Sequence, residues 1–193
     1  MLTQLDTVKT RLLIDLSDPQ YDTILTNTLL SVSDRFDAET NRTLARTESL
    51  LFEFPGEDVE LILPCYPVEG VSKFELKSNE ADGWIEQEDV EFLIRRSCLI
   101  SLATPLGTWR DQGRITYTGG YVLPGATPDP GQTPLPSDLE QAAVEQVACW
   151  FMNRDQLGLL RDWPHLGTYK QFSNLELLPS VQAALKSYKR WAI

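Results

Sequence analysis

The sequence has a single histidine, His165, and only three cysteines, Cys65, Cys98 and Cys149, spaced 33 and 51 residues apart. One histidine excludes a cluster of imidazole metal ligands and most histidine-based acid–base relays. In its Trp163-Pro164-His165 loop context it reads as a surface or packing residue. An odd number of cysteines without a CxxC pair is neither a disulfide framework nor a zinc site. Such thiols read as small buried groups in a protein folded in a reducing compartment. Phosphate-cradling glycine loops are missing as well: there is no GxGxxG, GxxxxGK[ST] or GxSxG. Gly119-Gly120-Tyr121 follows a strand pattern, but no helix comes after it to offer an N-terminus to an anion. No apolar run approaches the roughly 20 residues of a membrane-spanning helix. The opening MLTQLDTVKT has no basic stretch leading into an apolar core, so it reads as no secretory signal.

Positive charge is scarce in one place. Residues 48–94 carry 13 acids, from Glu48 to Glu91, against Lys73 and Lys77 alone, and the rest of the chain is balanced. The whole net charge of −11 is therefore contiguous. Such a segment does not bind nucleic-acid phosphate, which requires clustered Lys and Arg. It reads as a solvated acidic face, or more sharply as a surface that repels DNA passing close by. Acid pairs such as Glu57-Glu60 and Glu86-Glu88 could in principle hydrolyse glycosides, but pairs arise by chance in so acidic a stretch. Asp129 and Asp138 have no EF-hand spacing. The reading is a protein without catalytic apparatus, without a cofactor and without a metal.

At 193 residues, 42% of them apolar, the chain is long enough to bury its own core. Leu5, Val8 and Leu12 make one stripe of a short first helix, with Thr3 as its expected cap. Asp18-Pro19 has the form of an N-cap and first helical residue. It predicts a long second helix to about Arg42, with Ile24, Leu25, Thr28, Leu29, Val32 and Phe36 inward and Asp22, Asp34, Arg35, Asp37 and Glu39 outward. The period changes at Ser49. Strands are predicted over Leu50–Phe54, Val59–Leu63, Val68–Leu76, Phe92–Ile94, Cys98–Leu102 and Gly113–Thr118, with Pro55-Gly56 a turn. Residues 124–136, PGATPDPGQTPLP, read as a loop. Ser137 and Glu140 have capping-box spacing at the start of a third helix through Phe151. Residues 155–178 look irregular, and Leu178-Pro179 opens a last helix with Val181, Ala184, Leu185 and Tyr188 on one face.

The expected fold is α+β: a helical core of about four helices with an antiparallel β-rich element inserted between the second and third. The expected divisions are 1–47 with 134–193 as the helical core, 48–123 as the acidic insertion, and 124–133 as the Pro/Gly-rich loop.

Several phrases, in order, resemble the head–tail connector, or adaptor, family of tailed bacteriophages. They are Val8-Lys9-Thr10-Arg11-Leu12-Leu13-Ile14-Asp15, the turn Asp18-Pro19-Gln20-Tyr21-Asp22, and Phe36-Asp37-Ala38-Glu39-Thr40-Asn41-Arg42. Further on come Leu63-Pro64-Cys65-Tyr66-Pro67-Val68 and Leu135-Pro136-Ser137-Asp138-Leu139-Glu140-Gln141-Ala142 with Ala148 and Asn153-Arg154. The last is Leu178-Pro179-Ser180-Val181 with Leu185 and Tyr188.

The resemblance implies a structural virion protein at the head–tail junction, folded in the host cytoplasm. It would form a ring of about twelve copies closed by rotation. The implied partners are the chain itself, the portal protein, a tail-side stopper or tail protein, and DNA passing unread through the channel during packaging and ejection. The long second helix from Asp18 and the helix from Ser137 supply the expected subunit contacts, with Arg35, Asp37 and Arg42 as the expected interface residues. Glu86, Glu88 and Glu91 are the expected acidic surface of channel or rim. In the C-terminal LKSYKRWAI, Lys189, Arg190, Trp191 and Ile193 are the expected portal contact, aromatic and Arg anchors being enriched at hot spots. A rival of another class is a small monomeric glycan-binding or enzyme-accessory β module with helical flanks, stacking sugars on Trp84, Trp109 and Tyr121.

Overall fold

The computed structural model describes residues 1–154, 159–163, 169–172 and 177–190. The chain forms two compact units. One comprises the described residues of Met1–Thr40 and Leu135–Lys189, the other Asn41–Pro134 and Arg190.

The first unit packs four helices, α1 (Leu5–Arg11), α2 (Asp22–Thr40), α3 (Ser137–Met152) and α4 (Pro179–Lys186). In α2, Leu25, Leu29, Val32 and Phe36 recur at helical spacing and are all buried. Leu139, Ala143 and Val147 of α3 and Val181 and Leu185 of α4 are buried as well, and the three helices pack on one another. The small side chains of Ala142 and Ala143 let backbones approach closely. Ile24, expected inward, is 45% exposed, because it stands one residue off this stripe.

Three expected caps are absent. Thr3 does not cap α1; its hydroxyl donates to Glu140 Oε1 at 3.2 Å, and Gln4 occupies the cap position without a side-chain bond. That contact also takes the Glu140 carboxylate, and no capping box forms at Ser137. Asp18 closes an Asx turn instead, Oδ1 accepting from Gln20 N at 2.9 Å, and α2 starts one turn later. At the other end α2 stops at Thr40, before Arg42, where Asn41 takes a positive φ of 53°. Within the stretch expected to be irregular, β10 (Leu159–Trp163) and β11 (Tyr169–Phe172) pair antiparallel.

The second unit is built of strands lying between α2 and α3, so the fold is α+β with an inserted β element. They are β1 (Thr47–Pro55), β2 (Glu60–Ile62), β3 (Val68–Lys77), β4 (Ile85–Gln87), β5 (Phe92–Arg95), β6 (Leu99–Leu102), β7 (Gln112–Gly119), β8 (Tyr121–Val122) and β9 (Thr133–Pro134). One antiparallel sheet has the order β1-β7-β3-β4 and another β2-β6-β5, while β8, just before the expected loop, pairs in parallel with β9 near its end. Strand β7 alternates buried and half-buried residues, placing Ile115 and Tyr117 in the core. Phe54, Leu63, Phe74 and Ile100 close on them. Each such side chain contributes roughly 1.5–3 kcal/mol by burial. Gly113 is required in β7: a Cβ there would stand 2.5 Å from the Phe54 ring.

Candidate functional site

Buried charge marks the places where this sequence spends ionic groups inside rather than on the surface. In the first unit, Lys9 is 2% exposed. Its ammonium donates to Asp18 O at 2.8 Å and Leu16 O at 3.2 Å, and pairs with Asp22 Oδ1 at 2.5 Å. This ties the connection after α1 to the first turn of α2. A second tie joins α3 to the end of α4, where the Tyr188 hydroxyl donates to the Asp138 carboxylate at 2.8 Å.

In the second unit, Arg42 is 4% exposed. Its guanidinium stacks on Tyr66, 3.3 Å from the ring centroid, and donates to the Tyr66 carbonyl. Tyr121 flanks it at 5.2 Å. Arg42 is thus packed into its own chain rather than displayed on the polar face of α2, because the helix ends two residues earlier. Arg46 pairs with Glu69 at 2.7 Å and Glu48 at 2.8 Å. Across the sheet, Glu75 is bound by Arg114 at 2.7 Å and Lys73 at 2.9 Å. Burial pushes the Glu75 carboxyl up, but hydrogen bonds from Lys73 and Arg114 outweigh it and hold it below its ordinary value. Tyr117 is pushed up to about 12, chiefly by burial, its oxygen accepting from Cys65 N at 3.2 Å.

The other residues expected to function are placed as follows. Arg35 is half-exposed on α2 and pairs with Glu39 at 2.8 Å; Asp37 is half-buried on the same helix. Glu86, Glu88 and Glu91 are exposed, with Glu86 3.4 Å from Lys73. Lys189 is exposed. Arg190 is half-buried and donates to Ile62 O at 2.7 Å, within its own chain. Trp191, Ile193 and His165 lie outside the described residues. The three aromatics of the sugar-stacking alternative do not form a platform. Tyr121 is 8% exposed and Trp84 lies under Arg114 at 4.1 Å, which leaves Trp109 at 74% exposure.

Among the described residues no group of His, Cys, Asp and Glu is arranged to hold a metal ion. Two open grooves stand out. One, about 540 Å³, lies in the first unit beside Leu12, Leu13, Cys149, Met152 and Leu178. Its rim residues Leu13 and Met152 are 94% and 70% exposed. The other, about 610 Å³, lies in the second unit along β1 and β2 and is rimmed by Glu53, Glu57, Asp58 and Glu60. No local signal in the sequence marks the first groove, which is assembled from three separate segments, whereas the second is lined mostly by the acidic stretch Phe52–Ile62, joined on folding by Leu99 and Arg190. Among the described residues no helix is long and apolar enough to cross a membrane.

These features define a class: an α+β protein of paired units with exposed apolar and acidic surfaces. No protein-family model matches the chain, and no curated protein does. The fold is shared with solved chains of gene transfer agent (GTA) particles. One, from the neck of an empty GTA particle computed with C6 symmetry, superposes with a TM-score of 0.61 at 14% identity, covering 100% of this chain and 91% of that one. Another, from the virion of a native GTA particle, has a TM-score of 0.56 at 16% identity, covering 93% of this chain and 84% of that one.

Proposed function

We propose that this chain is a structural subunit of a phage-like head–tail junction. It assembles into a ring beneath the portal, extends the DNA channel, and docks the next tail or stopper protein. The observation that carries this reading is the likeness over the whole chain to a chain of a GTA neck, with both units included. A sixfold axis is compatible with a ring of about twelve copies, closed by head-to-tail contacts. The exposed apolar rim of the first unit supplies contact surface of the kind that monomers seldom leave open. The exposed acids of the second unit suit a wall past which DNA slides, since like charge keeps phosphates from adhering.

In this reading the protein has no catalytic step; its work is to hold partners in register around an open path. Electron microscopy of the protein mixed with its portal tests it. The expected result is a ring of this chain stacked coaxially on the portal. A protein that stays monomeric and unbound at micromolar concentrations of both overturns it.

A further inference from the structure

The acidic groove of the second unit is already entered by one cation. Among the described residues, strand β2 lies at the edge of its sheet and pairs with β6 alone. Leu102 N donates to Val59 O and Leu63 N to Cys98 O, so the odd-numbered residues of this stretch face β6. The alternation leaves the N–H and C=O groups of Glu60 and Ile62 on the free edge. Arg190 takes up one of these, donating to Ile62 O at 2.7 Å. Its Nε is buried and has no hydrogen-bond partner among the described residues. The four rim carboxylates, Glu53, Glu57, Asp58 and Glu60, have no ion pair or side-chain hydrogen bond among the described residues. A half-satisfied guanidinium therefore sits in a groove with unused anionic capacity and an unpaired strand edge, the two requirements for docking a basic extended segment.

The chain carries such a segment. After α4 ends at Lys186, the sequence Ser187-Tyr188-Lys189-Arg190 leads from the first unit to this groove. We propose that in the assembled protein the groove takes the C-terminal segment of an adjoining copy, whose Arg190 occupies the place held by the chain's own Arg190 in the isolated molecule. The bond to Ile62 O is made in either arrangement, so the swap costs little beyond ordering, and a head-to-tail exchange repeats around a closed ring. The extended segment adds along the edge of β2, and Lys189 and Arg190 meet the carboxylate rim. This inference rests on the ring reading and names one of the contacts that closes it.

Charge-swapped mixing tests it with full-length chains. One variant carries Arg190→Glu; the other carries Glu57→Arg and Glu60→Arg on exposed positions. Folding of each is checked by circular dichroism, and ring formation by light scattering, alone and with the portal. Each variant alone is expected to lose ring formation by about tenfold or more. The equimolar mixture is expected to regain it, because every tail then meets a groove of opposite charge in an alternating ring. Rings from Arg190→Glu alone at the wild-type level, or folded variants that fail to recover on mixing, overturn the exchange and leave the ring reading standing. A wild-type chain that forms no ring under either condition overturns both.

Discussion

Lys9 and Asp22 meet at 2.5 Å, although the lysine is 2% exposed and the aspartate 37%. The pair spans the connection from α1 to α2, and the same ammonium satisfies two carbonyls of that connection. Replacing Lys9 by Met removes the donor and leaves those carbonyls short of a partner. Partial exposure of Asp22 softens the loss, so the expected destabilisation is about 2 kcal/mol rather than the larger penalty of a fully buried broken pair. Urea denaturation of the Lys9→Met variant measures it.

Glu75 sets part of the acid limit. Its folded-state pKa lies below its ordinary value of 4.5, despite burial, because Lys73 and Arg114 favour the carboxylate. The stabilisation is therefore present above the unfolded value and is lost as pH falls through the folded one. A Glu75→Gln variant is expected to be less stable than wild type at pH 7, with the difference shrinking as the pH is lowered below 4.5. Thermal melts across pH 2.5–7 read this out. Arg114→Ala, which leaves the buried carboxylate with Lys73 alone, is expected to cost about 2–3 kcal/mol at neutral pH.

Gly113 faces the Phe54 ring so closely that a methyl group would stand 2.5 Å from it. Gly113→Ala is expected to destabilise the second unit by about 1–3 kcal/mol through overpacking. Pairing it with Phe54→Leu, which opens space at that point, is expected to recover part of the loss. A double-mutant cycle on denaturation free energies gives the coupling.

Arg35 on α2 tests the proposed helix interface. Its bond to Glu39 is an exposed i,i+4 pair worth only a few tenths of a kcal/mol. Arg35→Glu is therefore expected to leave the melting temperature nearly unchanged and to lower ring formation, measured by light scattering.

The acidic surface makes a separate prediction. Glu86, Glu88 and Glu91 are exposed in the single chain. If they face the channel, changing all three to Lys slows DNA ejection by attraction to phosphate, and more so at low salt. Ejection rates at two ionic strengths check it.

The elements with strong periodicity were legible before folding. Leu25, Leu29, Val32 and Phe36 announce α2, and the Leu178-Pro179 start of α4 stands where helix chemistry puts it. The strands from Leu50, Val68, Phe92, Cys98 and Gly113 follow from short β-rich runs between turn residues. The caps differ from those the sequence predicts because capping groups compete for partners. Thr3 and Glu140 have local capping roles open to them, yet they bond to each other across 137 residues of chain. The pairing of β10 with β11 was equally hidden, since weak local propensity gives no sign of a strand that is held by its neighbour. Arg42 reads as the polar end of a helix, but termination of α2 at Thr40 turns it under Tyr66.

By itself the sequence determined the order of the four helices and the placing of a strand-rich stretch between the second and third, the confinement of excess negative charge to residues 48–94, and a count of one histidine and three cysteines. Those are properties of residue type and spacing, which exist before any fold. Only the tertiary structure decided that Lys9 and Arg42 are buried, that Glu75 is an ionised core group, and that Arg190 sits in an acidic groove beside the free edge of β2. Each of these depends on which distant segment supplies the opposite charge or the carbonyl, and that choice is made by packing the whole unit, not by any local stretch of chain.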